Sequence, residues 1–120
     1  MADSIHIQDL LLRTIVGVNE DERNNRQDVV LNLTLHTDLH AAGQSDDLAD
    51  TVNYRTVTKQ VIEHVEQSEY LLVEKLAEQV AAICLEHRGV SSVDVSIDKP
   101  GALRFTRSVS VAISRSRIDG

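Results

Sequence analysis

The sequence predicts an α+β fold in which a four-stranded antiparallel sheet carries two helices on one face, in the chain order ββααββ. Apolar and polar residues alternate in two segments near each end of the chain, as in strands that are buried on one face. Between these pairs, apolar residues recur every three or four positions, which is the period of amphipathic helices. We expect the whole chain, residues 1–120, to form a single domain.

The first two strands are predicted within the first forty residues. Residues 4–16 are predicted to form a strand whose middle is ambiguous because three leucines follow one another, and Gly17 ends it. Residues 18–27 are polar and are predicted to form a turn region. Residues 28–39 then alternate cleanly, and their apolar face consists of Val29, Leu31, Leu33 and Leu35.

Two helices are predicted in the middle of the chain. Asn53 is suited to cap the first, whose apolar positions are Tyr54, Val57, Val61, Ile62 and Val65. The second is predicted from about residue 71 to residue 87, with a buried stripe of Leu72, Leu76, Val80, Ile83 and Cys84. Gly89 stands where a helix C-terminal cap belongs.

The last two strands surround the only proline of the chain. Val93, Val95 and Ile97 alternate with polar neighbours, and the same parity delivers Lys99 immediately before Pro100. We expect Pro100 to end the strand pairing and to stiffen a turn that aims Lys99. The final strand follows, with apolar positions Val109, Val111 and Ile113.

The sheet face opposite the helices predicts an oligomer. It carries small polar residues rather than many charges: Asn32, Thr34, His36, Ser96, Ser110 and Ser114. Because the edges of a four-stranded sheet must be paired, covered or charged, we expect the sheet to continue into neighbouring subunits. The small polar face would then line a shared interior.

Composition narrows the class of protein. The formal net charge of −7 disfavours general nucleic-acid binding, although a local basic pocket for a small anion remains compatible with it. No apolar run reaches membrane-spanning length and no signal-like N-terminus is present, so we expect no membrane partner and a cytoplasmic location. The single cysteine, Cys84, excludes an internal disulfide, and His36 and His40 lack a third ligand, so we expect neither a metal nor a cofactor.

Four side chains are candidates for chemistry. Lys99 can be held and partly desolvated at a strand end, although lysines at frayed strand ends are also common. Glu74 can accept two parallel hydrogen bonds from an amidine-like edge, or simply be a favourable charge near a helix N-terminus. Tyr54 can donate a proton or can pack with a wet hydroxyl group. Glu22 lies in a strongly acidic turn, where solvation is the default.

Four segments in order resemble the dihydroneopterin aldolase family and its close relative, dihydroneopterin triphosphate 2'-epimerase. They are "GVNEDERNNRQ", "SDDLADTVNYRTVTK", "LLVEKLAEQVA" and "DKPGALRFTRSVSV". The resemblance covers essentially the whole chain. It implies the tunnelling fold, in which subunits join their sheets into a ring-shaped barrel with the helices outside. It also implies a homo-octamer of two stacked tetrameric rings with active sites between subunits.

The resemblance implies a substrate-binding role for four residues. Glu74 matches the anchor that grips the 2-amino group and the adjacent ring NH of a small-molecule dihydropterin. Backbone groups around Val52, Leu72 and Val73 match the rest of the pterin slot. Arg104 is a basic candidate for a triphosphate, and Arg55, Lys59 and Arg13 are further candidates of the same kind.

The resemblance also implies three catalytic residues. Lys99 matches the lysine before proline that assists proton transfer. Tyr54 matches the tyrosine implicated in protonating the intermediate, and Glu22 matches the carboxylate near the substrate side chain, followed by the matching Gln27. No metal and no Schiff base are required, because the dihydropterin ring accepts the electrons itself.

The acidic turn departs from the aldolase pattern. Aldolases often carry an aromatic-acid-aromatic sequence where this chain reads "NEDE", whereas "KPGA" is shared with them. We therefore expect a dihydroneopterin triphosphate 2'-epimerase, which gives dihydromonapterin triphosphate. The alternatives are an aldolase that releases glycolaldehyde and 6-hydroxymethyl-dihydropterin, and a non-catalytic pterin-binding ring protein.

Overall fold

One four-stranded sheet with two long helices on one face makes up most of the computed structural model, which describes residues 3–117. The strands are β1 (Ser4–Thr14), β2 (Gln27–His36), β3 (Ser92–Pro100) and β4 (Ser108–Ser116). The helices are α1 (Glu20–Asn24), α2 (His40–Ser45), α3 (Tyr54–Gln67) and α4 (Val73–Leu85), and a 3₁₀ turn spans Leu48–Asp50. All neighbouring strands are antiparallel, so the predicted α+β fold and the ββααββ order of its main elements are confirmed.

The core lies between the sheet and the two long helices. Leu31, Leu33 and Leu35 of β2 stand opposite Ile97, Val95 and Val93 of β3, and all six are fully buried. Helix α3 packs on β1, whereas α4 packs on β3 and β4. The alternation in the sequence therefore predicted the buried face of the two central strands correctly.

The ambiguous middle of the first strand is a β-bulge. The register of β1 against β2 shifts between Ile7 and Leu10, and Asp9 takes a left-handed φ of 55°. The backbone N–H of Asp9 donates to Oδ1 of Asn32 at 2.9 Å, which stabilises the irregularity. Because a bulge breaks the two-residue period, the leucine run showed no single buried parity.

The two long helices confirm most of the predicted apolar positions. The Asn53 side chain accepts hydrogen bonds from the backbone N–H groups of Arg55 and Thr56, so it caps α3 as predicted. Leu72, however, was wrongly placed on the buried stripe of the second helix. It precedes α4 with extended backbone and is 51% exposed, because a residue outside the helix does not follow the helical period.

The prediction about Gly89 is wrong, whereas the prediction that Pro100 ends the strand pairing is confirmed. Helix α4 ends at Leu85 with Glu86 as its cap, and Gly89 instead allows a close approach, since a Cβ there would lie 2.8 Å from Cγ2 of Val52. Pro100 ends the pairing of β3 with β4 as predicted, since it stands opposite Ser108 as the last paired residue of β3.

The polar turn region contains a short helix. Residues 20–24 form α1, whose first turn carries three acidic side chains near the positive end of the helix dipole. This helix carries Glu22, so its position decides where that carboxylate points.

The face of the sheet opposite the helices forms its own polar network. Nε2 of His36 lies 2.8 Å from Oδ2 of Asp94, and the Ser114 hydroxyl donates to the other oxygen of that carboxylate. These hydrogen bonds hold the pKa of Asp94 below its ordinary value, with the Ser114 bond as the larger cause. Within residues 3–117, β1 and β4 each pair on one side only, which leaves two open sheet edges.

Candidate active site

The sheet places a buried lysine beside a carboxylate. Lys99 follows Ile97 on the core-facing side of β3, and its side chain is only 11% exposed. Its ammonium group donates to Oε2 of Glu22, a side chain that is 21% exposed. A charge taken out of water needs a partner, and α1 supplies that partner across 77 positions of sequence.

Several groups fix the Glu22 carboxylate. The backbone N–H of Asn19 donates to Oε1 at 3.2 Å. Nε2 of Gln27 lies 3.5 Å from Oε2 and donates more strongly to the Val16 carbonyl at 2.6 Å. The hydrogen bond from Lys99 is the main reason why the pKa of Glu22 lies below its ordinary value. Because this pKa is lowered, the carboxylate stays ionised at a more acidic pH than an unpaired glutamate would.

Gly17 makes room for this carboxylate. Its φ of +136° is one that residues with side chains rarely adopt, and a Cβ at this position would lie 2.3 Å from the carboxyl carbon of Glu22. Only glycine fits here. The residue predicted to end the first strand thus also lets α1 approach closely enough for Glu22 to reach Lys99.

The loop before α4 lies against the same region. The Gly17 backbone N–H donates to the Tyr70 carbonyl at 3.2 Å, so the segment that leads into Leu72 and Val73 begins beside α1. Glu74 lies in the first turn of α4 and is exposed. No side-chain hydrogen bond or ion pair occupies its carboxylate within the described part of the chain.

Val52 and Tyr54 lie at the other end of α3. Val52 is buried against Gly89, whereas Tyr54 begins α3 and is 59% exposed. The C-terminal end of α3 lies at Thr14, whose hydroxyl donates to the Val65 carbonyl at 2.6 Å. A helix of 14 residues is ~20 Å long, so α3 separates Tyr54 from the region of Glu22.

The comparisons with known proteins agree with this fold. The family model described as FolB, dihydroneopterin aldolase, matches residues 5–114. The chain belongs to this family. Dihydroneopterin triphosphate 2'-epimerase of Escherichia coli K12 is 48% identical over 113 residues, which is 94% of each chain.

Aldolases of the family are also similar to this chain. Dihydroneopterin aldolase of Streptomyces coelicolor is 39% identical over 119 residues, covering 97% of this chain and 99% of that one. The crystal structure of E. coli dihydroneopterin aldolase with neopterin superposes with a TM-score of 0.91 at 33% identity, covering 95% of this chain and 99% of the other. The resemblance found in the sequence is thereby confirmed.

Basic side chains of this family member differ in how far they are already engaged. Arg13 is already paired with Asp28 at 3.3 Å. Arg104 lies in the exposed turn between β3 and β4, with its guanidinium carbon 5.1 Å from the centre of the Phe105 ring. Arg55 and Lys59 line an open groove of about 530 Å³ beside Tyr54.

Residues 3–117 contain neither a cluster of metal-ligating side chains nor an exposed cysteine. No group of three or more His, Cys, Asp and Glu side chains in that range could hold a metal ion. Burial raises the pKa of the Cys84 thiol to about 12, so this thiol is not a nucleophile near neutral pH. No helix among the described residues is long and apolar enough to span a bilayer.

The sequence selected Lys99 and Glu22 separately but did not pair them. A signal was available, because the strand parity placed Lys99 on a buried face, where an ammonium group requires a compensating charge. Three acidic residues within the turn region could have met that need, and only the fold of α1 distinguishes Glu22 from Glu20 and Asp21. Arg23, which holds this helix against the loop between α3 and α4, was missed entirely.

Proposed function

We propose that this chain is a dihydroneopterin triphosphate 2'-epimerase. The observation that carries the proposal is the buried Lys99–Glu22 pair at one end of the sheet, together with the exposed carboxylate of Glu74 in the first turn of α4. The choice of branch rests on the 48% identity to the E. coli epimerase, compared with 39% to the Streptomyces aldolase. The reaction inverts C2' of the dihydropterin side chain and gives dihydromonapterin triphosphate.

Glu74 is the proposed anchor for the pterin ring. Its exposed carboxylate is free to accept two parallel hydrogen bonds, one from the 2-amino group and one from the adjacent ring NH. Backbone groups of Leu72 and Val73 complete this side of the slot. The exposed side chain of Leu72 adds apolar surface for a flat ring, which explains why a leucine stays in water in the free chain.

The chemistry needs a proton acceptor and a fixed positive charge. Removal of the 2'-hydroxyl proton lets the C1'–C2' bond break, and the electron pair passes into the C=N system of the dihydropterin ring. Lys99 and Glu22 transfer this proton and stabilise the charge that develops. Both side chains are already fixed by their ion pair before the substrate binds. The reverse addition to the other face of the aldehyde forms the same bond with C2' inverted.

Tyr54 and Val52 come from a second subunit in this proposal. Both lie about one helix length from the Lys99–Glu22 pair of their own chain, so one chain alone does not bring them together. The open edges of β1 and β4 are suited to join neighbouring sheets into a ring. We propose a homo-octamer of two stacked tetrameric rings, located in the cytoplasm.

The second candidate function is dihydroneopterin aldolase. It is favoured by the family description and by the extensive match to the Streptomyces enzyme. In that reaction, a proton from Tyr54 would trap the intermediate, and glycolaldehyde would leave. An enzyme that keeps its aldehyde through a triphosphate tether would instead re-form the bond.

One incubation distinguishes the two reactions. Purified protein is given dihydroneopterin and, separately, its triphosphate, and the products are resolved by chiral chromatography. The epimerase proposal predicts a monapterin-type product as the main product from the triphosphate. If hydroxymethyl-dihydropterin dominates with both substrates, the aldolase assignment replaces it, and unchanged substrate would indicate a pterin-binding protein without turnover.

A further inference from the structure

Arg23 of α1 contacts backbone groups of two separate segments. Its Nη1 donates to the carbonyl oxygens of Gly17 and Tyr70, each at 3.1 Å, and its Nη2 donates to the carbonyl of Glu69 at 2.7 Å. The side chain is half-buried, and no ion pair with a carboxylate is formed by it in the described range. Its guanidinium group is therefore used to hold backbone rather than to neutralise an acid.

These contacts are part of a continuous set of bonds on one loop. The carbonyl groups of three successive residues between α3 and α4 each accept from the region of β1 and α1. Ser68 accepts from the Thr14 hydroxyl at 3.0 Å, Glu69 accepts from Arg23, and Tyr70 accepts from both Arg23 and the Gly17 N–H. The Tyr70 hydroxyl is also bonded to His64 at 2.8 Å, so this loop is fixed on both sides.

The two segments that Arg23 joins carry the two halves of the proposed site. Glu22 is its neighbour on α1 and pairs with Lys99. The loop that it holds runs directly into Leu72, Val73 and Glu74, the proposed pterin slot. A planar group with five donors can bridge several acceptors at fixed angles, which a lysine in this position could not do.

We propose that Arg23 is a positioning residue that fixes the pterin slot relative to the Lys99–Glu22 pair. The inference rests on the proposed function, since it assigns the two joined segments to one substrate. Arg23 does not contact the reacting atoms. Its loss allows the slot and the ion pair to shift against each other, and a displacement of about 1 Å can reduce turnover by ~100-fold.

The test compares Arg23→Ala with Arg26→Ala. Arg26 is a matched control, because it also uses its guanidinium on backbone carbonyls, donating to Glu66 at 2.6 Å, but it does not touch Gly17, Glu69 or Tyr70. For Arg23→Ala we expect kcat with dihydroneopterin triphosphate to fall roughly tenfold or more at a temperature where both variants are folded. For Arg26→Ala we expect kcat within about twofold of the unmodified protein, whatever the change in Tm.

A second readout does not require turnover. Amide hydrogen exchange at Gly17 and across residues 68–74 is expected to accelerate in Arg23→Ala and to stay unchanged there in Arg26→Ala. Arg23→Lys keeps the charge and is expected to fold, with an intermediate loss of kcat. Retention of full kcat by Arg23→Ala, or an equal loss in Arg26→Ala, would overturn the positioning role.

Failure of the proposed function is recognised separately. If the unmodified protein turns over neither dihydropterin, the proposed function is wrong. Hydrogen exchange and neopterin binding then still test whether Arg23 fixes the two segments relative to each other. Accelerated exchange with weaker neopterin binding in Arg23→Ala alone would support the link between the two segments. Unchanged exchange would refute it.

Discussion

The two ends of α3 differ in how much of the proposed site a single chain completes. Near its C-terminal end, Lys99 is paired with Glu22, and Gln27 and the backbone of Asn19 hold the carboxylate. Near its N-terminal end, Tyr54 is exposed, and Arg55 and Lys59 line an open groove. In the proposed site, a chain thus assembles the electrostatic part by itself, and we propose that another subunit completes the other part.

Lys99→Ala removes the cation of the Lys99–Glu22 pair and should have the largest effect on turnover. Positioned proton transfer contributes ~10²–10⁴-fold to a rate, so kcat with dihydroneopterin triphosphate should fall by a factor in that range. Steady-state kinetics measure the loss, and circular dichroism checks the fold. Lys75→Ala, at an exposed position of α4, is the control that should retain kcat. Normal turnover by Lys99→Ala would reject the catalytic role.

Glu74→Gln removes the negative charge from the proposed pterin slot. A hydrogen bond to a charged group is worth about 1.5–3 kcal/mol, so the Kd for neopterin should rise roughly 10- to 100-fold. Tm should stay the same, because the carboxylate has no side-chain partner within residues 3–117. Calorimetric titration measures the Kd. Glu78→Gln, which breaks the ion pair with Arg115, should leave neopterin binding intact.

Gly17→Ala tests whether the completed end depends on one glycine. A Cβ would overlap the Glu22 carboxylate and φ is strained, so the free energy of unfolding should fall by about 1–3 kcal/mol and kcat should fall with it. Gly43→Ala in α2 is the opposite case, with no atom within 4 Å of the new Cβ. It should be neutral or stabilise the protein by about 0.5–1 kcal/mol. Equal urea midpoints for the two variants would contradict the close approach.

The Glu22 ion pair predicts a defined pH dependence of stability. Because the pKa of Glu22 is lowered in the folded state, its contribution is present above the ordinary glutamate pKa of about 4.3. It is lost as the pH falls through the lowered folded-state pKa. In urea titrations from pH 6 to pH 3, the free energy of unfolding should therefore drop by roughly 1 kcal/mol less in Glu22→Gln than in the unmodified protein.

The other lowered carboxyl pKa values make this a comparison between variants. The pKa values of Asp94 and Glu78 are lowered mainly by hydrogen bonds from Ser114 and from Arg115 respectively. The stability that these two carboxylates contribute is therefore also lost as the pH falls. Their contributions cancel when the two titration curves are subtracted. Parallel curves for Glu22→Gln and the unmodified protein would show that the pair with Lys99 adds nothing.

Arg104→Ala changes an exposed residue and should have the smallest effect on the kinetics. It should raise KM for dihydroneopterin triphosphate by roughly threefold, because one exposed charge contributes up to about 1 kcal/mol to binding a polyphosphate. KM for unphosphorylated dihydroneopterin should not change. The same shift for both substrates would remove Arg104 from the phosphate site.

Much of the fold was predictable because burial on one side of a sheet leaves a two-residue period in the sequence. Val93, Val95 and Ile97 gave the direction of Lys99, and Asn53 marked the start of α3. The bulge at Asp9 and the exposure of Leu72 were not predictable in this way, since each lies where the period is interrupted.

The site was harder to predict than the fold. The contact of Lys99 with Glu22 joins residues far apart in sequence, and it depends on the path of α1 past Gly17. The open carboxylate of Glu74 has no signature in the sequence apart from the family resemblance, because an exposed glutamate in a first helical turn is common. Such a residue is distinguished only by what lies beside it in the fold.

Mixed oligomers of Lys99→Ala and Tyr54→Phe chains test most directly whether two chains share the site. The two inactive or impaired variants are unfolded together, refolded as a mixture and assayed with dihydroneopterin triphosphate. Sites that combine an intact Lys99 from one chain with an intact Tyr54 from its neighbour should restore about a quarter of the unmodified activity. If activity remains at the average of the two separate variants, each chain holds a whole site and the division proposed here is wrong.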